Sequence, residues 1–207
     1  NCDFLIELKN DMVVITDNKK NTIFRFNKNY CNLRGKHNLP NILACFVICE
    51  LLQIKKQVFL ENLKKFKGLE HRFEYFKKYK NIEFYNDSKS TNVESSKVAL
   101  ESLNNIFWIV GGRKKPGGLE GIHNSLGKVL KAFIFGESKK DFNQYLSNYI
   151  DTETFETLDT AVEKAISIAL EKKLSINILL SPASASFDQF KNFEQRGVYF
   201  KKIVKKI

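Results

Sequence analysis

The feature that most constrains the fold is a set of short apolar runs separated by amphipathic stretches. Ile106-Phe107-Trp108-Ile109-Val110, Ala132-Phe133-Ile134-Phe135 and Ile176-Asn177-Ile178-Leu179-Leu180 are nearly continuous in apolar residues. Runs of that length read as strands covered on both faces, because a sheet with one wet face needs only every second residue apolar. Between the last two runs, Leu158, Ala161, Val162, Ala165, Ile166 and Ala169 recur at helical spacing and define one buried face over 158–170. Apolar strands alternating with one-sided helices predict an α/β fold, a Rossmann-like, mostly parallel sheet with helices on both faces.

The rest of the chain completes that pattern. Strands are expected at 4–8, 12–16 and 22–26, the last two joined as a hairpin by Asp17-Asn18-Lys19-Lys20-Asn21. An irregular polar segment, 31–40, leads to an apolar helix over 41–52, with Pro40 tolerated at its first turn. A second helix over 56–66 is closed by Gly68. Further on, strands are expected at 73–76 and 82–85, and helices at 93–103, 119–126 and 141–149. A final helix would carry Phe187, Phe190, Phe193, Phe200, Val204 and Ile207.

The chain of 207 residues, 43% hydrophobic, can bury a core large enough for one domain or one and a half. A net charge of +11 would suit nucleic acid or an anionic membrane. The lysines are dispersed, however, with no arginine-rich tract or stacking-aromatic motif, so neither partner is expected. Of Cys2, Cys31, Cys45 and Cys49, none forms a CxxC pair. Cys45 and Cys49 are expected to be buried on the apolar helix, and no metal site is expected. No apolar run approaches the roughly 18 residues of a membrane span, and no signal peptide is visible, so a cytoplasmic location is expected. Because the chain starts at Asn1 and not at Met, it is expected to be processed or part of a longer protein.

Polar motifs stand where the apolar strands end. In Tyr85-Asn86-Asp87-Ser88-Lys89-Ser90-Thr91-Asn92, Thr91 and Glu94 have capping-box spacing for the helix that follows. The loop is then a capped turn with solvated charges, or an anion site built from helix amides and Lys89. Gly111-Gly112-Arg113-Lys114-Lys115-Pro116-Gly117-Gly118 is a solvated turn or an anion cradle. In Ser181 to Ser186, small residues permit close approach of a ligand, while Ser186 is placed to cap a helix with Asp188 complementing its dipole. Arg72 and Asp87 form a surface ion pair, or clamp a phosphate and accept from a ribose. Asn38 and Asn41 cap a helix, or read an adenine edge. His37, His71 and His123 are assigned no catalytic role.

Asp87-Ser88-Lys89-Ser90-Thr91-Asn92 resembles the Asp-Ser-Lys-Ala-Thr-Asn signature of the D-glutamate-adding Mur ligases of peptidoglycan synthesis. Gly35-Lys36-His37-Asn38, the stretch from Phe66 through Gly68-Leu69-Glu70-His71-Arg72, and the stretch from Leu180 through Phe193 to Glu194-Gln195-Arg196-Gly197 match in the family's order. The resemblance runs from about Gly35 onward. It implies that 1–69 is the C-terminal portion of the central ATP-binding domain and 70–207 the Mur ligase C-terminal domain. The activity implied is ATP-dependent ligation of D-glutamate to UDP-N-acetylmuramoyl-L-alanine through an acyl phosphate.

By the same resemblance Lys89 is catalytic. Thr91, Lys115, Ser186, Phe187 and Phe193 bind the substrate D-glutamate, and Asn38, Asn41, Arg72 and Asp87 bind the nucleotide. The family's glycine loop usually reads Gly-Gly-x-Asp-Lys-Gly. Here Lys114 replaces the acid and Pro116 a glycine, so either lysine can take the substrate role, with Lys115 at the matching position. ATP and Mg2+ are the implied cofactors. The P-loop, the magnesium ligands and the uridine-nucleotide domain are expected upstream, so these 207 residues alone are not expected to turn over substrate. A monomer in the bacterial cytoplasm is implied. Two other readings are another Mur or folylpolyglutamate-type ligase and a non-enzymatic basic binding module.

Overall fold

The computed structural model describes residues 3–33 and 35–207. Cys2 and the side chain of Lys36, in the motif at 35–38, lie outside that description. The chain forms two compact units, Asn1–Gly68 and Leu69–Ile207.

The first unit is a three-stranded antiparallel sheet, β1 (Phe4–Lys9), β2 (Met12–Asp17) and β3 (Thr22–Asn27), covered by α1 (Leu39–Leu51) and α2 (Lys56–Lys65). Strand alternation turns Val13 and Ile15 inward, where they meet Phe26, Ile42, Phe46 and Phe59. The expected β2–β3 hairpin is present, and the Asp17 carboxylate secures its turn by accepting from the amides of Lys19 and Asn21. The cysteine expectation fails at Cys45, which is exposed, whereas Cys49 is half-buried against the core. Ile42 and Phe46, four apart, are the positions that face the sheet, and Cys45 falls off that row.

The second unit holds a six-stranded sheet in the order β4-β5-β9-β6-β7-β8. Its strands are β4 (Glu74–Tyr79), β5 (Ile82–Asn86), β6 (Ile106–Gly111), β7 (Val129–Phe135), β8 (Thr152–Phe155) and β9 (Ile176–Leu180). Only β4 runs antiparallel to its neighbour; every other pairing is parallel. The α/β, mostly parallel fold is thus observed. Helices α3 (Val93–Glu101) and α4 (Lys139–Leu146) cover one face. Helices α5 (Leu158–Glu171) and α6 (Phe193–Val204) cover the other. Strand β6 shows why its run is continuous: Phe107 and Ile109 pack toward α5 and α6, Trp108 and Val110 toward α3 and α4.

Several boundaries differ from the sequence expectation. Asn92, not Thr91, caps α3, its side chain accepting from Ser95 N at 2.9 Å, while Glu94 pairs with Lys97. The helix expected over 119–126 is a short 3-10 turn, Ile122–Ser125, because Gly117, Gly118 and Gly121 all take positive φ. The last helix starts only at Phe193, where Asn192 accepts from Gln195 N at 2.7 Å. Ser186 therefore does not cap it; its carbonyl closes a turn with Gln189 and Phe190. Strand β8 had no expectation. Its four residues, Thr-Glu-Thr-Phe, lie at the sheet edge, where one apolar residue suffices.

The register brings the carboxyl ends of three neighbouring strands level. Leu180 of β9 lies opposite Asn86 of β5 on one side and Ile109 of β6 on the other. Just past these ends Gly111 takes φ +138 and packs so closely that a Cβ there would stand 2.0 Å from the Phe135 carbonyl oxygen. At Gly117, φ is +85 but nothing lies within 4 Å of such a Cβ. We expect Gly111→Ala to lower the unfolding free energy by roughly 3 kcal/mol or more, from strain plus collision. Gly117→Ala should cost about 1 kcal/mol. Urea titration of the fluorescence of Trp108, the single and fully buried tryptophan, reads both variants.

Candidate functional site

Three loops leave the level strand ends and interlock: 87–91 after β5, 111–118 after β6 and 181–186 after β9. The amide of Asp87 donates to Leu180 O at 2.7 Å, continuing the β5–β9 ladder into the first loop. Arg113 and Ala185 exchange backbone hydrogen bonds, both 3.0 Å, and Gly111 N donates to Pro182 O at 3.1 Å. The Ser184 hydroxyl donates to Gly111 O at 2.5 Å. Such contact needs a glycine at 112, where a Cβ would come within 2.4 Å of Ala185 O. In a parallel sheet, ligands gather outside these carboxyl ends, so the convergence marks this edge as the candidate site.

Asp87 lies beneath the first loop and is only 6% exposed. Its Oδ1 accepts from Phe73 N at 2.9 Å, and its Oδ2 from the hydroxyls of Ser181, at 2.8 Å, and Ser90. Burial raises its pKa from the usual 3.8 to about 6, against the hydrogen bonds from Ser90, Ser181 and Phe73 and the nearby Arg72 charge, which favour the anion. Arg72 is exposed and close enough to act on Asp87 electrostatically. Asn38 and Asn41 belong to the first unit, where Asn41 Nδ2 donates to Asn38 Oδ1 at 3.3 Å. Asn38 stands at the N-cap of α1 but makes no side-chain cap bond, so capping does not account for it.

Lys89 is exposed, and its ammonium lies 4.0 Å from the centre of the Phe193 ring. That distance is a cation–π contact, which orients a long side chain without neutralising it. Beneath them, His71 meets the Phe193 ring edge-on at 6.2 Å and its carbonyl accepts from Lys89 N at 3.0 Å. Thr91 is half-buried in the same loop, its amide donating to Lys89 O at 2.8 Å. Ser186 is buried, whereas Phe187 is 63% exposed.

In the glycine loop, two of three successive cations are held by acids. Arg113 pairs with Glu137, and Lys114 with Asp141 at the start of α4. Among the described residues Lys115 has no ion-pair partner and lines a cleft of about 580 Å3 with Pro116, Leu119 and Tyr145. Between the two lysines, this leaves Lys115 available to a ligand. The structure thus joins Lys89 to Phe193 and interlocks the loops carrying Thr91 and Ser186. The cleft wall at Lys115 includes none of Lys89, Thr91, Ser186, Phe187 or Phe193. Among the described residues no group of three or more His, Cys, Asp or Glu is placed to hold a metal ion, and no helix is long and apolar enough to cross a membrane.

Sequence reasoning passed over Arg196, which is fully buried at the junction of the loops. Burial lowers its pKa to about 10, partly offset by Asp188, so it stays cationic at neutral pH. The signal lay in α6: Gly197, Phe200 and Val204 form a buried row at helical spacing, with half-buried Phe193 one turn before it, and Arg196 is a charge beside that row.

Asp87 yields a pH prediction. With its folded pKa raised, the contribution of Asp87 is full below about pH 4 and is lost as pH rises through about 6. By pH 7 the folded chain has lost roughly 3 kcal/mol of stability through Asp87 relative to its value below pH 4. Carboxyl carbon NMR should place the Asp87 midpoint near 6. Ser181→Ala should move it higher, because a donor to the anion is gone.

Residues 71–183 match the family described as Mur ligase, glutamate ligase domain. The chain is 38% identical over 204 residues to the UDP-N-acetylmuramoylalanine--D-glutamate ligase of Rickettsia felis, covering 96% of this chain and 45% of that protein. It is 42% identical over 170 residues to the ligase of the same name from a Wolbachia of Brugia malayi, covering 82% of this chain and 34% of that one. The chain therefore spans less than half the length of these relatives. Among solved structures, the UDP-N-acetylmuramate-alanine ligase MurC of Thermotoga maritima superposes with a TM-score of 0.71 at 15% identity. That pair covers 99% of this chain and 45% of the other, a likeness of fold. A family match over more than half of the residues, on the very sheet whose strand ends carry the interlocked loops, makes this chain a member of the Mur ligase family.

Proposed function

We propose that this chain is the part of an ATP-dependent ligase that receives D-glutamate and completes a nucleotide site, in the step joining D-glutamate to UDP-N-acetylmuramoyl-L-alanine. The observation that carries the reading is the convergence of the 87–91, 111–118 and 181–186 loops at the level ends of β5, β6 and β9, with Lys89 and Lys115 exposed on them. The names and sequence identity of the relatives support the substrate assignment.

In this reading ATP transfers its terminal phosphoryl group to the carboxylate of the uridine-nucleotide substrate, giving an acyl phosphate and ADP. The D-glutamate amine attacks the acyl carbon, a proton leaves the nitrogen, and the tetrahedral intermediate expels phosphate as the amide forms. Negative charge accumulates on the oxyanion and on the departing phosphate, so a fixed cation lowers the barrier. Lys89, steered by the Phe193 ring, supplies that cation. Lys115 pairs with a carboxylate of D-glutamate, while Thr91 and Ser186 donate hydroxyls that orient it and Phe187 and Phe193 wall its carbon chain. Arg72 and Asp87 serve the nucleotide; Asn38 and Asn41 are assigned to the nucleotide by the resemblance alone. Both carboxylate oxygens of Asp87 already accept internal hydrogen bonds, so a ribose hydroxyl would join or displace one of them. ATP brings the phosphoryl group, and its Mg2+ is held by residues outside this chain. Turnover accordingly needs the remainder of the polypeptide, a cytoplasmic, monomeric enzyme in this reading.

A D-glutamate titration of the isotopically labelled 207-residue chain, followed by NMR, tests the reading. We expect saturable shifts at Lys89, Lys115 and Ser186, and weaker binding of L-glutamate. Lys89→Ala and Lys115→Ala should each weaken D-glutamate at least about tenfold, or roughly 1.4 kcal/mol. Equal response to both enantiomers, or none to either, would defeat it. A steeply salt-dependent shift of a nucleic-acid probe would favour the basic binding module instead.

A further inference from the structure

A buried guanidinium is costly unless its donors are used, and replacing it by an apolar side chain of similar volume is often neutral or stabilising. Helix α6 would accept such a side chain at 196, since the buried positions beside it are Gly197 and Phe200, with half-buried Phe193 one turn before. Arg196 is nevertheless 0% exposed, and among the described residues it forms no ion pair. What it does instead is bridge loops. Its Nε donates to Ser88 Oγ at 3.0 Å, and its Nη2 to Ser88 O at 3.0 Å and Ser184 O at 3.1 Å. Its Nη1 lies under the glycine loop, 3.3 Å from where a Cβ of residue 112 would stand. One planar group thus reaches the loops after β5, β6 and β9.

The contacts also form a circuit around Lys89. Ser88 Oγ, which accepts from Arg196, donates to Phe193 O at 2.8 Å. The Phe193 ring carries the Lys89 ammonium at 4.0 Å. Ser88 immediately precedes Lys89, and Phe193 is one helical turn before Arg196. The guanidinium therefore ties the backbone at Lys89 to the helical turn that holds the partner of its ammonium. We propose that Arg196 is a positioning residue, a buried clamp that sets where the Lys89 ammonium stands for the incoming amino acid. A lysine cannot replace it, because one ammonium group does not span Ser88 and Ser184 with a fixed fork.

The proposal rests on the D-glutamate reading for its purpose, but its geometry is testable without it. The Phe193 ring should shift the Lys89 ε-methylene proton resonances upfield in the 207-residue chain. In Arg196→Met and Arg196→Lys we expect that ring-current shift to fall below half. In both variants D-glutamate should bind at least tenfold more weakly, with Trp108 still in its buried, native emission. Retention of the full shift in folded Arg196→Met overturns the clamp, as does complete rescue by Arg196→Lys. If neither variant folds, Ser88→Ala decides, since it removes only the shared hydroxyl: a lost shift supports the clamp and an unchanged one overturns it. If the unaltered chain binds no D-glutamate, the proposed function fails, while the ring-current comparison still judges Arg196.

Discussion

The edge of the sheet depends on how closely three backbone loops approach one another. At Gly111 and Gly112 the main chain runs against Phe135 and Ala185 with no room for a single methyl group. Gly136 continues the packing, since a Cβ there would come within 2.3 Å of the Asp188 carboxylate, which in turn accepts from Glu137 N. Were any of these positions to carry a side chain, the loops after β6, β7 and β9 would be forced apart. The cradle at this edge is therefore made by missing side chains, and the polar atoms that surround it are mostly backbone.

Close packing of this kind removes water, and the charges beneath it respond. Asp87 keeps three hydrogen-bond donors yet still titrates well above an ordinary carboxyl, because burial outweighs them. Arg196 is shifted the other way by the same cause and remains cationic. Lys89 and Lys115, one layer outward, are exposed. The arrangement keeps two ammonium groups at the surface and places the buried, perturbed groups below them.

Much of this was legible beforehand, for identifiable reasons. The β6, β7 and β9 runs were readable because strands covered on both faces leave no polar alternation to confuse the signal. Helix α5 was readable because its buried residues keep helical spacing without interruption. The motif loops were readable through glycine, serine and lysine at strand ends. What escaped had competing local signals. Thr91 and Ser186 look like caps, yet Asn92 and Asn192 hold those roles, since each takes an extended backbone and reaches an amide three residues on. Strand β8 is four residues long and gains its identity only from β7 beside it. Arg196 stood inside a recognised stretch, but a charged residue on a helix is read as solvent-facing until the buried row around it is traced.

The sequence by itself determined the α/β class, the order of most elements, the membership in the Mur ligase family and the polar loops at the strand ends. Those follow from local pattern, since periodicity and glycine placement act over a few residues. Only the tertiary structure decided that β9, last in the chain among the strands, inserts between β5 and β6. That insertion makes the 181–186 loop the centrepiece joining the other two. It also decided that Lys114 is ion-paired while Lys115, among the described residues, is not, and that Arg196 lies beneath all three loops. The physical reason is distance along the chain: Ser88 and Arg196, or Lys114 and Asp141, meet only after the sheet has closed, and no local spacing encodes that meeting.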